Sequence, residues 1–277
     1  MRSRLFHLLA YLPLHVLHNL GAVIGWLAWL LSPIYRRHMR VFMEKAGLQA
    51  YRNAAIAESG KTILEMPKLW LRPFDEVVSR VVRVSGADLV QKTPAAKRGL
   101  IILTPHLGCF EIVGQYLVSH RPLTAMYRPS KHAWLEPIIQ AGRGARITLA
   151  PTDLSGVRRV LKALKAGEAI IMAPDQIPGK GEGAWAPFFG HPAYTMTLAA
   201  RLSETDAEVV FGYAERLPYG SGYHLHFRAP AEPLHGTLDE RTAQINGEIE
   251  VMVRECPAQY LWSYNRYKVP RHVGLPP

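Results

Sequence analysis

The hydrophobic pattern divides the chain into two unequal parts. From Leu5 to Tyr35 there is no Asp, Glu, Lys or Arg, and twenty of the 27 residues in 5–31 are apolar. As one helix those 27 residues measure about 40 Å, against a hydrocarbon core of about 30 Å. The pattern predicts a membrane-anchoring helix within residues 1–35, spanning with some tilt. His7, Tyr11, His15 and His18 fall within an arc of about 80° at 100° per residue, and Pro13 interrupts the segment. A polar stripe of this kind also suits a helix packed on protein or lying in the interface. The long apolar run, with no A-x-A site after it, argues against a cleaved signal peptide.

Residues 36–277 read as a single α/β domain. Positions 33–72 give two or three helices, with Ile56, Ile63, Leu64, Pro67 and Leu71 at helical spacing and interruptions at Gly60 and Pro67. Short β-rich runs follow at 81–84, 100–104, 124–127, 147–150 and 169–173. Helix-like stretches at 109–119, 133–141 and 155–166 separate them. This alternation predicts βαβ units and a mainly parallel central sheet flanked by helices. A helix is expected over 193–203. Strands at 209–215 and 223–228 flank a Pro218–Gly222 turn, and a long amphipathic helix at 239–256 carries Ile245, Ile249, Met252 and Val253.

Composition narrows the partners. Lys+Arg minus Asp+Glu is 33 − 22, or +11, which favours an anionic partner: nucleic acid, lipid headgroup, phosphorylated substrate or acidic carrier protein. No nucleic-acid motif accompanies the charge, and none is expected to bind. Cys109 and Cys256 cannot form a disulfide framework and lack metal-ligand spacing, so a reducing compartment is expected, with no structural metal and no cofactor. Basic residues flank the apolar helix, Arg2 and Arg4 before it and Arg36, Arg37, Arg40 and Lys45 after it. The larger following cluster favours a cytoplasmic carboxyl-terminal domain.

The most informative segment runs from Leu100 to Glu111. A buried strand ends at Thr104-Pro105, His106 sits in the turn, and Gly108 opens a helix carrying Glu111. Ligand sites of α/β sheets collect at the carboxyl ends of strands. There a carboxylate can hold one imidazole nitrogen and make the other the better base. Glu111 is therefore expected to orient His106 as a general base, the nucleophile being a substrate hydroxyl. Arg128, Asp175 and Gln176 also follow predicted strands. Asp175 is placed to hold Arg143 or a substrate hydroxyl. Residues 143–165 hold Arg143, Arg146, Arg158, Arg159, Lys162 and Lys165 with Asp153 the one acid, a solvated helix face or a surface for lipid phosphates or an acidic carrier.

His106-x4-Glu111 after an apolar strand resembles the His-x4-Asp/Glu signature of glycerolipid-type acyltransferases. More closely, the chain resembles the bacterial lipid A late acyltransferases, the lauroyl/myristoyl acyltransferase family. The resemblance rests on Thr104-Pro-His-Leu-Gly-Cys-Phe-Glu111, Met126-Tyr-Arg-Pro129, Gly142-Arg143, Ala173-Pro-Asp-Gln176, Pro187-Phe-Phe-Gly190 with Thr195, and Gln259-Tyr-Leu-Trp-Ser-Tyr-Asn-Arg-Tyr-Lys268, in the family's order over about residues 10–268. It implies transfer of a fatty acyl chain from acyl carrier protein to a hydroxyl of a lipid A precursor, at the cytoplasmic face of the inner membrane. It also implies substrate contact by Arg143, the arginine of the Gly-Arg motif, with His106 and Glu111 catalytic. The family's closing His-Arg-Arg run is here Tyr264-Asn265-Arg266, so only Arg266 is retained. Action on another lipid acceptor, thioester hydrolysis, and non-catalytic lipid binding are the other readings.

Other signals point nowhere specific. His224 and His226 share a strand face without a third metal ligand at suitable spacing. Gly220-Ser221-Gly222 lacks the strand–turn–helix setting of a nucleophile elbow. Cys109 reads as a packing residue. The Gly- and Lys-rich stretch 177–184 reads as a mobile loop, lacking the GK[ST] of a phosphate-binding loop.

Overall fold

The computed structural model describes residues 2–91, 98–130, 132–179, 181–271 and 273–276. The chain opens with five helices: α1 (Arg2–Tyr11), α2 (Leu14–Leu31), α3 (Pro33–Ala46), α4 (Arg52–Leu71) and α5 (Phe74–Val78). Then come β1 (Val81–Ser85), α6 (Ala87–Gln91), β2 (Leu100–Leu103), α7 (Phe110–Val118), β3 (Leu123–Tyr127), α8 (Glu136–Arg143), β4 (Thr148–Pro151), α9 (Leu154–Lys165) and β5 (Ala169–Met172). The chain closes with β6 (Gly183–Phe188), β7 (His191–Met196), α10 (Leu198–Leu202), β8 (Glu208–Arg216), β9 (Tyr223–Arg228) and α11 (Leu238–Glu255).

Seven strands form one sheet in the order β1-β9-β8-β2-β5-β3-β4. β8, β2, β5, β3 and β4 run parallel to one another. β9 returns antiparallel to β8, and β1 is parallel to β9. This is the expected α/β sandwich. β2 and β5 are buried along their whole length because helices cover both faces. Ile101 and Leu103 point into one core with α9, α10 and α11. Leu100 and Ile102 point into the other with α4, α5 and α7.

Two expectations change. Residues 193–203 are not one helix. β7 occupies 191–196 and pairs antiparallel with β6 as a separate ribbon. Its two-residue turn is Phe189-Gly190, both with φ positive (48° and 74°), the geometry that matches hairpin twist. The stretch 177–184, expected to be mobile, thus ends inside a strand at Gly183; its Lys180 lies outside the described residues. The apolar amino-terminal segment is also not one helix. Pro13 stands between α1 and α2, since its ring and missing N–H break a helix interior. Pro67, in contrast, is accommodated within α4.

α2 lies against α4. A Cβ on Gly60 would stand 1.9 Å from the Gly21 carbonyl oxygen, and one on Gly25 would stand 2.0 Å from that of Ile56. Only glycine permits this approach. Beside it lies a buried ionic network. Arg216 of β8 donates through Nε (2.9 Å) and Nη2 (2.6 Å) to the Glu65 carboxylate and through Nη1 to Glu58 (2.6 Å). Tyr223 Oη donates to Glu65 (3.0 Å), and His18 Nε2 of α2 lies 3.3 Å from it. Burial alone would raise the Glu65 pKa. The Arg216 charge and hydrogen bonds, with His18 behind them, win and lower it to about 2.

A folded-state pKa below the ordinary value of 4.5 means that Glu65 stabilises the fold fully above about pH 4.5 and loses that contribution as pH falls towards 2. Glu65→Gln is expected to lower stability at neutral pH by about 3 kcal/mol, because Arg216 stays buried without its anion. The deficit should shrink between pH 4.5 and 2 in unfolding titrations against wild type.

Candidate active site

The strand-end turn after β2 is fixed on several sides. Gly108 has φ +61°, and a Cβ there would stand 1.9 Å from the Ala214 carbonyl oxygen. Its N–H donates to Gln259 O (3.0 Å), Cys109 N–H to Ala214 O (2.8 Å), Leu107 N–H to Pro105 O (2.7 Å), and Leu261 N–H to His106 O (3.1 Å). The backbone amides of Leu107, Gly108 and Cys109 are thus already engaged within the fold.

His106 is held by Asp175. Nδ1 lies 2.8 Å from Asp175 Oδ1, and the His106 backbone N–H donates to Oδ2 (2.9 Å). The carboxylate is buried, while the imidazole is 19% exposed. A carboxylate accepts, so Nδ1 carries the proton and the Nε2 lone pair faces outward. Burial pushes the Asp175 pKa up. The His106 charge and both hydrogen bonds, with the nearby Arg266 guanidinium, outweigh burial and hold it below the usual value. Tyr260 abuts the same carboxylate. Burial first and Asp175 next raise its phenol far above its ordinary value, so it stays protonated. Gln176 places its amide Nε2 3.3 Å from His106 Nε2, and the Phe110 ring packs 4.8 Å from the imidazole.

Glu111 does not hold His106, and the sequence expectation for that pair is corrected here. The turn seats α7 so that Phe110 meets the imidazole and Glu111, one residue further, points toward α4 and α8. Glu111 Oε2 accepts from Trp70 Nε1 (3.1 Å) and Arg143 Nε (2.7 Å), and Arg143 Nη2 pairs with Oε1. The Arg143 guanidinium lies 5.7 Å from the Trp70 ring and 5.6 Å from the Tyr127 ring. Burial lowers its pKa to about 10, so it remains charged at neutral pH. The two carboxylates have thus exchanged partners: Asp175, placed from sequence with Arg143 or a hydroxyl, takes the histidine, and Glu111 takes the arginine. Arg128 is exposed just past β3, close enough to act electrostatically on Tyr264. Tyr264 Oη accepts from the Ile177 N–H (3.0 Å), beside Gln176.

A histidine held from behind by a buried aspartate at a strand end is an arrangement that can serve as a general base. Residues 4–269 match the family described as bacterial lipid A biosynthesis acyltransferase. The chain belongs to that family. It is similar to the lipid A biosynthesis palmitoleoyltransferase of Escherichia coli (strain K12), 29% identical over 95% of this chain and 88% of the relative. It is also similar to the lauroyltransferase of the same organism (27%, over 97% and 90%). A lipid A biosynthesis acyltransferase of Haemophilus influenzae is 24% identical over 93% and 86%.

Other residues of this acyltransferase explain the remaining motifs. Arg266 is fully buried and donates to Tyr194 O (2.8 Å) and Thr195 Oγ1 (2.6 Å), tying the closing segment to the β6–β7 ribbon. Asn265 is exposed. Cys109 is buried, and burial, then the Glu65 charge, push its thiol pKa well up, so it stays an unreactive thiol. For His224 and His226 the structure supplies a third donor. Glu215 of the paired strand brings the three ligand atoms within 4.8 Å of one another. Arg83 nevertheless donates to His224 Nδ1 (3.0 and 2.8 Å) and Ser85 Oγ sits 2.8 Å from Nε2, so both ring nitrogens are engaged and a fixed cation adjoins the cluster.

Arg143→Ala would leave the Glu111 carboxylate buried without its cation. The variant is expected to lose about 3 kcal/mol in unfolding measurements, and Glu111→Leu combined with Arg143→Met to recover much of that loss. Equal losses in the two variants would count against a coupled pair.

Proposed function

We propose that this lipid A acyltransferase moves a fatty acyl chain from acyl carrier protein to a hydroxyl of a lipid A precursor, with His106 as general base and Asp175 as its orienting partner. The observation that carries this reading is the 2.8 Å contact between His106 Nδ1 and Asp175, which turns Nε2 toward the mouth. The acceptor hydroxyl gives its proton to Nε2 while its oxygen bonds to the thioester carbonyl carbon. The tetrahedral intermediate then expels the carrier thiolate, and the imidazolium returns the proton to that sulfur. Atoms balance without an acyl-enzyme, a metal or a cofactor. Asp175 stabilises the transient imidazolium through the same hydrogen bond.

The oxyanion needs a donor placed near Nε2. Gln176 Nε2, which meets His106 Nε2 at 3.3 Å, is in reach of that position once the acceptor hydroxyl takes its place on the imidazole, whereas the turn amides are spent on Gln259 and Ala214 within the fold. The Arg143–Glu111 pair forms one wall, and Arg128 an exposed cation at the rim, both suited to the phosphates of the acceptor. On α9, Arg158, Arg159, Lys162 and Lys165 are exposed, a basic face complementary to an acidic carrier protein. In this reading the enzyme works at the cytoplasmic side of the inner membrane, where acyl carrier protein is available.

His106→Ala is expected to lower kcat by about 10²- to 10⁴-fold while acceptor binding persists. Gln176→Leu should lower kcat with little change in KM. The assay follows acylated lipid by mass spectrometry. Turnover retained in His106→Ala would reject the base, and free fatty acid as the main product would favour hydrolysis.

A further inference from the structure

We infer that the amino-terminal helices do not cross the bilayer but lie in the plane of one leaflet, with the outer face of α2 embedded among the acyl chains of an anionic lipid surface and its inner face docked on the catalytic domain. This goes beyond the acyl-transfer reading and stands on helix packing alone.

The two faces of α2 are opposite and complete. Leu14, Leu17, His18, Gly21, Gly25 and Trp29 are buried, and at 100° per residue they span one arc of about 120°. Leu20, Val23, Ile24, Trp26, Leu27, Leu30 and Leu31 are exposed on the other side, with His15 and Asn19 at its edge, and together they span an arc of about 180°. The buried arc runs from the first turn to the last, so α2 is attached along its length.

What it is attached to cannot enter hydrocarbon. α4 carries Glu58, Lys61, Glu65 and Lys68, and Glu65 is bound to Arg216 of the central sheet. Lys68 Nζ donates to the Ala10 carbonyl at the end of α1 (3.0 Å). The β8–β9 turn closes on the start of α2, where a Cβ on Gly220 would stand 2.4 Å from His15 N. A helix held beside α4 at glycine-contact distance shares its depth. Crossing a membrane would strip α2 from α4, opening the Gly21–Gly60 approach and leaving Glu65 without His18. By length and apolarity alone the 18 residues of α2 could cross a bilayer, so the occupied inner face, not the length, decides against it.

Charge names the occupant. The first acidic residue of the chain is Glu44. Arg4 before α2 and Arg37 and Arg40 after it are exposed. Exposed leucines bordered by arginines match an anionic leaflet, acyl chains below and headgroups at the rim. The arrangement also levels the catalytic mouth with the headgroups. Phe6 of α1 stacks 6.0 Å from Trp70, the donor to Glu111. Arg37 and His38 of α3 border a cavity of about 260 Å³ with Tyr264, Asn265 and Arg266.

The test uses the full chain in inverted and right-side-out membrane vesicles with a membrane-impermeant maleimide. Cys109 and Cys256 are buried, so background labelling is low. Arg4→Cys reports the amino terminus and Glu232→Cys, an exposed site, reports the catalytic domain. Labelling of both from the same side is expected. Labelling of Arg4→Cys only from the side opposite Glu232→Cys overturns the inference. Gly25→Leu supplies a second reading that needs no labelling. In the docked arrangement its side chain collides with Ile56, and Tm should fall by several degrees. In a spanning helix the added leucine would face lipid, and an unchanged Tm would contradict docking. Failure of either arm leaves the His106 chemistry untouched, since that is read by turnover.

Discussion

One carboxylate grips one residue twice. Asp175 accepts from the His106 backbone N–H and from its ring, and so fixes both where the turn goes and which imidazole nitrogen faces outward. The sheet makes this possible. β2 and β5 are adjacent, parallel and in register, with Leu103 opposite Met172. Three residues beyond each of these positions stand His106 and Asp175. A parallel pair carries equal offsets past its ends to the same edge, so the two side chains meet without any special loop. The buried Asp175 stays ionised because the histidine and Arg266 outweigh its desolvation.

The second carboxylate, Glu111, has a different task. It holds Arg143 against Trp70 and Tyr127, joining α7, α8 and α4 along one wall of the mouth. Trp70 passes that wall on to Phe6 of α1. Further back along α4, the Arg216–Glu65 network joins the sheet to α2 through His18. The His106 turn, the Arg143 wall and the apolar amino-terminal helices are thus connected through α4, whose Gly60 and Glu65 both meet α2.

Much of this was readable beforehand, and the failures have physical causes. β2 and β5 are four-residue apolar runs, and α11 carries Ile245, Ile249, Met252 and Val253 on one face with a Thr237–Glu240 capping box at its start. Such periodicity is local and survives folding. The β6–β7 ribbon was not seen because Pro187, Pro192 and the small residues Gly183, Ala184, Ala186 and Ala193 dilute its alternation, so 193–203 reads as a helix. His106 was legible from its place after a buried strand. Its partner was misassigned because Glu111 is near in sequence, whereas Asp175 is 69 residues away and becomes a neighbour only once β5 lies beside β2. Glu215 was missed beside His224 and His226 for the same reason: strand pairing brings it there. The apolar run of 5–35 signalled lipid contact, but only the structure reveals that one face of α2 is already occupied.

The most direct measurement is the ¹⁵N resonance pair of the His106 imidazole in the neutral protein, compared among wild type, Asp175→Ala and Glu111→Gln. Wild type and Glu111→Gln are expected to hold the same tautomer, protonated at Nδ1 and unprotonated at Nε2, and Asp175→Ala to lose it. Loss of that tautomer in Glu111→Gln with retention in Asp175→Ala would contradict the assignment of Asp175 as the orienting group.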